Sequence, residues 1–392
     1  MMSITLIRGA QVFAPQPLGV QDVLIAGSRI AAIGPSIDLH GEPVQIVDAT
    51  NFLLLPGLVD SLVHFAGGGG EGGFHTRTPE MHLSEATLGG VTTLIGALGT
   101  DATTRSLPDL LAKARGLDNE GLSTYCYAGS YHLPACTFSG SITDDLVLID
   151  KCIGIGEIAI ADHRGAQLSA AELARAASQA RVGGMLAGKS GMVSIHVGDG
   201  DSRLQLLHEV VDNSELPPSQ FYPTHINRNQ TLLDAGIVWC RRGGLIDMTT
   251  STNEAFIAEG EIPAAAAIAQ CLAKGVDVRQ LSMSSDGNAS LPVFDQHGEL
   301  IGLEVGRTAS LYDAFTELVQ QHDVAIETAI QVVSTSPARH LKLASKGQIT
   351  VDADADVLLV NPDTLAIDSV FARGKCLVRN GQALRRGTFE TL

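Results

Sequence analysis

MVSIHVGD (Met192–Asp199) and FYPTHINR (Phe221–Arg228) are the stretches whose reading decides the fold. Each begins as an apolar, strand-like run and stops at a histidine followed by further polar residues. Working outward, LVDSLVH (Leu58–His64), AGSYH (Ala128–His132), EIAIADHR (Glu157–Arg164) and LSMSSDGN (Leu281–Asn288) follow the same plan. Strands that end in His, Tyr, Asp or Arg suit a (β/α)8 barrel, in which the loops after the strand C-termini surround one shared pocket. That spacing gathers His64, His196, His225 and Asp286. Imidazoles and a carboxylate converging in one pocket point to a divalent-metal hydrolase.

The middle of the chain alternates strand and helix, so the expected class is α/β. Strand candidates LVDSLVH, VTTLIGAL, LSTYCYAGS, EIAIAD, MVSIHVG, FYPTH, LIDMTT and LSMSSD are rich in Val, Ile, Leu and Thr. Between and after them, segments such as SLPDLLAKARGL, SAAELARAASQARVGGMLA and SLYDAFTELVQQ place apolar residues three and four apart, the helical period. Eight such units favour a closed parallel barrel over an open doubly wound sheet. Both ends of the chain instead read as short strands separated by Gly, Pro and Asn breakers. The expectation is a small β-sandwich domain from residues 1–55 and 345–392, flanking a barrel over 56–344.

Composition narrows the function classes. The formal net charge of −17 argues against nucleic acid or an anionic membrane as partner. No segment approaches the roughly 18–20 uninterrupted apolar residues of a membrane span. The six cysteines form no C-x-x-C pair and read as buried free thiols. A cytoplasmic location is expected, since MMSITLIRGAQVFAP lacks a basic region followed by a long apolar run. The Gly-rich run GGGGEGG (Gly67–Gly73) is followed by no G-K-[ST], so it reads as a flexible loop above the pocket or a linker, not a phosphate loop.

Each candidate carries two readings. Asp286 in SSDGN can ligate a metal and accept a proton from attacking water, or form an Asx turn before Gly287. His196 and His225, closing neighbouring strands, form a ligand pair or hydrogen-bonded barrel residues; His64 follows the same argument. Arg164 and Arg228 present guanidinium forks that bind carboxylates bidentately, or pair with a neighbouring loop. Tyr131 can hold an oxyanion or pack at the barrel mouth. His132 and His163 are expected to be structural.

PGLVDSLVHFAGGGGEGG, LGTD (Leu98–Asp101), GSYHLP, DHR, HVGD, PTHINRN and SSDGNAS together resemble the isoaspartyl dipeptidases of the amidohydrolase superfamily, nearly end to end. The resemblance implies hydrolysis of β-linked aspartyl dipeptides at a zinc centre, in a homo-oligomer. It implies that Asp286 is metal ligand and proton shuttle and that His196 and His225 hold a metal. It further implies that Glu71 grips the substrate ammonium, Arg164 and Arg228 its carboxylates, and Tyr131 the carbonyl oxygen. Ser290, Thr100 and the Gly69 backbone complete the substrate shell.

Two departures stand out. The family's His-x-His is here Leu62-Val63-His64, and the carboxylated lysine of strand four is replaced by Glu157. Lys151 lies at the wrong end of that strand to substitute. One firmly held zinc on Glu157, His196 and His225 is therefore expected, with two possible through His64, Asp286 and Glu157. The alternatives are another amidohydrolase, acting on N-acyl-amino acids or cyclic amides, and a weakly active or non-catalytic relative with an altered metal centre.

Overall fold

The computed structural model describes residues 4–39, 44–294 and 300–391; residues 1–3, 40–43 and 392 of the terminal unit expected over 1–55 and 345–392 lie outside them. Eight strands carry the central unit: Leu58–Val63, Val91–Gly96, Ser123–Ala128, Cys152–Ile160, Met192–Val197, Phe221–Thr224, Ile246–Thr249 and Leu281–Ser284. Numbered first to eighth in chain order, the first six pair in parallel in that order, and the seventh pairs in parallel with the eighth.

Side chains and short backbone contacts close the two gaps. Between sixth and seventh strands, Thr224 Oγ1 donates to Asp247 Oδ2 at 2.7 Å and Thr249 N donates to Asn227 Oδ1 at 2.9 Å. Between eighth and first, Asp286 N donates to the Leu62 carbonyl at 3.1 Å and His64 N to the Gly287 carbonyl at 2.8 Å. The expected (β/α)8 barrel is therefore observed, and its closure sets the ends of strands one and eight side by side.

But for half-buried Tyr125 in the third, the strands are buried along their whole length, as expected of parallel strands covered on both faces. A polar layer lies inside. Asp60 accepts from Ser285 N at 2.9 Å, and Asp247 accepts from Ser282 Oγ at 2.6 Å. Burial is the main force on both carboxyls, lifting Asp60 to about 7 and Asp247 to about 6.

Helices cover the outside, with capping residues already visible in the chain. Ser169 and Glu172 form a reciprocal capping box at the start of Ala170–Ala187, and Asn229 caps Gln230–Arg241. Three helices escaped the sequence reading, Ile142–Leu148, Glu254–Ala258 and Ser336–His340. All three are too short for helical periodicity to emerge over a window of about 11–18 residues. A hairpin, Ser290–Phe294 against Leu300–Val305, was also not anticipated.

The two chain ends meet in one small β-rich unit, as expected, with hydrogen bonding continuous through nine strands. Its seam is the antiparallel pairing of Leu53–Pro56 with Val357–Val360. Val12, Ile25, Ile30, Leu54, Val357 and Phe371 share its apolar core. Buried Lys346 ties this unit to the barrel: its ammonium lies 2.9 Å from Asp354 and 2.7 Å from Asp356, and it also donates to Ser123 at the start of the third strand.

Candidate active site

The strand ends converge on a cavity of about 440 Å3 that includes His64, Gly69, Glu71, Thr100, Tyr131 and Arg164 in its wall. His196, His225, Arg228, Asp286 and Ser290 line it as well. Two sets of donor atoms meet there, Glu157–His196–His225 and His64–Glu157–Asp286, with the atoms of each set within 4.8 Å of one another. Glu157 belongs to both. Its Oε1 lies 2.6 Å from His196 Nδ1 and 3.7 Å from His225 Nε2, while Oε2 lies 3.8 Å from His64 Nε2. Asp286 Oδ1 is 3.1 Å from His64 Nε2, outside the hydrogen-bonding direction of the ring.

Burial of these groups leaves specific atoms unsatisfied. Glu157 Oε2, His225 Nε2 and Asp286 Oδ1 are buried without a hydrogen-bond partner. Each such atom carries a desolvation cost of about 1–3 kcal/mol, which a divalent cation bound among them would offset. The imidazoles are oriented for that role. His64 Nδ1 lies 3.1 Å from the Ala97 carbonyl, and His225 Nδ1 meets Thr249 Oγ1, so each ring turns its Nε2 inward. Burial and the neighbouring His196 push His225 down to about 4, leaving it neutral. Burial would lower His64 too, but Asp286 and Glu157 lift it to about 9. Filling that second set with a metal thus displaces a proton. Burial opposes the charge on Glu157 and Asp286, yet their histidine neighbours hold both below their ordinary values.

Local backbone geometry aims these side chains. In the fourth strand the register against the fifth slips by one residue, from Ile155 opposite Val193 to Ile158 opposite Ile195. Such a bulge re-aims the residues it contains, here Gly156 and Glu157. Gly156 has φ 141°, and a Cβ there would lie 2.6 Å from the Ser194 carbonyl oxygen, so only glycine fits. His225 and Asp286 both adopt left-handed backbone, at φ 63° and 52°. Non-glycine residues take that conformation at a cost, and it concentrates at functional sites. Lys151 points away, bonded at the strand base to Asp118 and Thr124 at 3.0 Å.

Leu62 is buried at 2% exposure in an apolar cluster with Ile95, Ala97 and Tyr127. It supplies packing, at about 1.5–3 kcal/mol for such a side chain, where the family pattern has a ligand.

The polar wall is cross-linked. Glu71 accepts from Thr100 Oγ1 at 2.8 Å and lies 3.5 Å from Arg164 Nη1. Arg228 Nε donates to the Val197 carbonyl at 2.9 Å, and its Nη2 lies 3.4 Å from His196 Nε2. Tyr131 Oη is 2.9 Å from His196 Nδ1. Burial, reinforced by Glu157, raises its pKa well above normal, so the phenol remains a donor. Gly69, at φ 66°, lets the loop approach Ser290, whose Cβ would be 2.9 Å from any Cβ added there. The base of the Gly-rich loop is pinned, not free: buried Arg105 donates to the Gly68 carbonyl at 3.1 Å and the Thr78 carbonyl at 2.9 Å. His132 bonds the Arg164 carbonyl at 2.8 Å, a structural role, and His163 is largely exposed.

The sequence reading missed Asp162. Its Oδ2 lies 3.0 Å from His196 Nε2 and accepts from Arg164 Nη2 at 2.7 Å. It therefore orients a donor histidine and a cavity arginine together. The only signal was a carboxylate two residues before Arg164 in ADHR. Outer carboxylates of this kind tune ligand histidines. Asp162→Asn is expected to weaken metal affinity by about 10–100-fold in competition with a chelator. Wild-type affinity in that variant would remove Asp162 from this role. Thr249 was equally unreadable, because its contact with His225 depends on strands six and seven being neighbours.

Residues 53–378 match the model of the amidohydrolase family. A dihydroorotase of Streptomyces coelicolor is 37% identical over 99 residues, covering 25% of this chain and only 21% of that protein. The chain thus spans about a fifth of that curated relative. Among solved structures, the beta-aspartyl dipeptidase of Fervidobacterium islandicum AW-1 in complex with β-Asp-Leu dipeptide is 40% identical with a TM-score of 0.91, covering 99% of this chain and all (100%) of that one. Dihydropyrimidinase of Brevibacillus agri NCHU1002, at 17% identity and a TM-score of 0.68 over 97% of this chain and 96% of its own, shares the fold. With its barrel, its strand-end donor sets and this match along its whole length, the chain belongs to the amidohydrolase family, on the side of the beta-aspartyl dipeptidases.

Proposed function

We propose that this protein is a metal-dependent hydrolase that cleaves β-aspartyl (isoaspartyl) dipeptides or close relatives of them. One observation carries the reading: Glu71, Arg164 and Arg228 face one cavity with the metal donor sets, Glu71 against Arg164 and both guanidinium groups reaching His196 Nε2, at 3.3 and 3.4 Å. A β-aspartyl dipeptide presents an ammonium and two carboxylates around one amide, the complement of that layout. Glu71, held by Thr100, takes the ammonium. Arg164 and Arg228 take the carboxylates, and the Gly69 backbone and Ser290 close the remaining side. Tyr131 donates to the carbonyl oxygen, where negative charge develops. Asp286 accepts the proton of the attacking water and returns it to the leaving nitrogen. A divalent ion, when bound, polarises the amide and makes water a stronger nucleophile at neutral pH.

The ion is taken to be zinc, because two imidazoles and a carboxylate with an open position suit it. Glu157, His196 and His225 would hold it most firmly, with His64 and Asp286 completing a weaker second place through Glu157. All six cysteines are free, which accords with a reducing, cytoplasmic setting. No described helix is long and apolar enough to cross a membrane. A homo-oligomer is inferred from the resemblance.

The test compares a free β-aspartyl dipeptide with its N-acetylated analogue. Glu71→Gln should lower kcat/KM for the free dipeptide by about one to two decades, the scale of a charge-assisted contact, and matter little for the analogue. Equal slowing of both would favour an N-acyl-amino-acid or cyclic-amide hydrolase. Wild-type protein with neither bound metal nor turnover would point to a non-catalytic relative.

A further inference from the structure

Beyond Arg228 the cavity wall contains groups that the scheme above does not use: Phe256, Leu291 and Glu261. Phe256 comes from the short helix Glu254–Ala258, and Leu291 from the hairpin after strand eight. Glu261 is held from both sides by backbone contacts. Its own N–H donates to the Phe256 carbonyl at 2.9 Å, and Ile262 N donates to the Asn227 carbonyl at 2.9 Å. Asn227 Nδ2 returns a bond to the Ile262 carbonyl at 2.9 Å. Glu261 is thus fixed to the turn that carries Arg228. Its Oε1 is buried without a hydrogen-bond partner.

We infer that Glu261 reads the side chain of the residue released from the dipeptide and favours one with a cationic tip. The inference rests on the reading of the pocket above, in which Arg228 takes the carboxylate of that residue. A residue anchored there directs its side chain along the wall next to Arg228. Phe256 and Leu291 offer apolar surface to a methylene stem, and Glu261 offers an acceptor at its end. Long cationic side chains bury their stems in this way while keeping the charge on a polar partner. An acceptor left unmet is costly, and an incoming ammonium satisfies it. Glu261 and Glu71 reach the cavity from different segments: Glu261 from the segment tied to the turn that carries Arg228, Glu71 from the Gly-rich loop against Arg164.

The experiment measures kcat/KM for β-Asp-Lys and β-Asp-norleucine, which differ at the side-chain tip, in wild type and Glu261→Gln, with thermal unfolding as the check on folding. Wild type should prefer the lysine substrate by about tenfold or more, and Glu261→Gln should bring the ratio down by about tenfold, as loss of a charge-assisted contact would. A wild-type ratio near one, or in favour of norleucine, overturns the inference without any variant. A preference that survives Glu261→Gln overturns the role of Glu261. If wild type hydrolyses neither dipeptide, the β-aspartyl reading itself falls and the inference with it.

Discussion

Asp286→Asn is expected to lower turnover by roughly 10²–10⁴, the usual contribution of a positioned acid–base group. The substitution keeps the size of the side chain and removes its basicity. Asp286 ends strand eight in left-handed backbone, tied through its N–H to the Leu62 carbonyl, so its carboxylate is presented by the barrel closure itself. Its Oδ1 is buried, unpartnered and faces the cavity. Metal held by Glu157, His196 and His225 should be retained in the variant, because Asp286 is not in that donor set. Measuring turnover and metal content on the same sample separates loss of a base from loss of a ligand. Near-normal turnover would move the base elsewhere, with Glu157 the next candidate.

An effect of the same order, on metal content as well as turnover, is expected from Glu157→Ala. This residue alone is shared by the two donor sets, so its removal leaves two donor residues in each. A catalytic metal supplies several kcal/mol of transition-state stabilisation. At about 1.4 kcal/mol per decade, its loss should lower turnover by roughly three decades or more. Metal per chain should fall well below the wild-type value, and added zinc should restore neither quantity fully. The variant also leaves His196 Nδ1 without its 2.6 Å partner in a buried site, so a modest loss of thermal stability should accompany it. Wild-type metal content together with wild-type turnover would show that the carboxylate is not a shared ligand, and that the histidines and Asp286 hold the ion without it.

The two variants probe residues whose legibility in the sequence differed. Asp286 was readable because strand-end polar residues in an alternating chain converge, whatever the loops do. The same rule found His64, His196, His225, Tyr131, Arg164 and Arg228, all of which line one cavity. Glu157 was singled out only through the resemblance, since in a run of apolar residues nothing marks which way one carboxylate turns. The bulge at Gly156, which turns it, is a property of the pairing between strands four and five.

The sequence by itself determined the order of the barrel strands and the longer helices between them, the chemistry available at the strand ends and the absence of a family ligand at Leu62. Those features depend on neighbours within a few residues, where periodicity and residue type act directly. Only the tertiary structure decided that His64 and Asp286 touch, since that follows from strand eight closing on strand one across more than two hundred residues. It also decided that Asp162 orients His196, that Thr249 orients His225, and that Asn227 ties the segment of Glu261 to the turn that carries Arg228. These contacts join side chains from different strands and loops. Their partners are chosen by strand register and barrel closure, which no local pattern in one chain records.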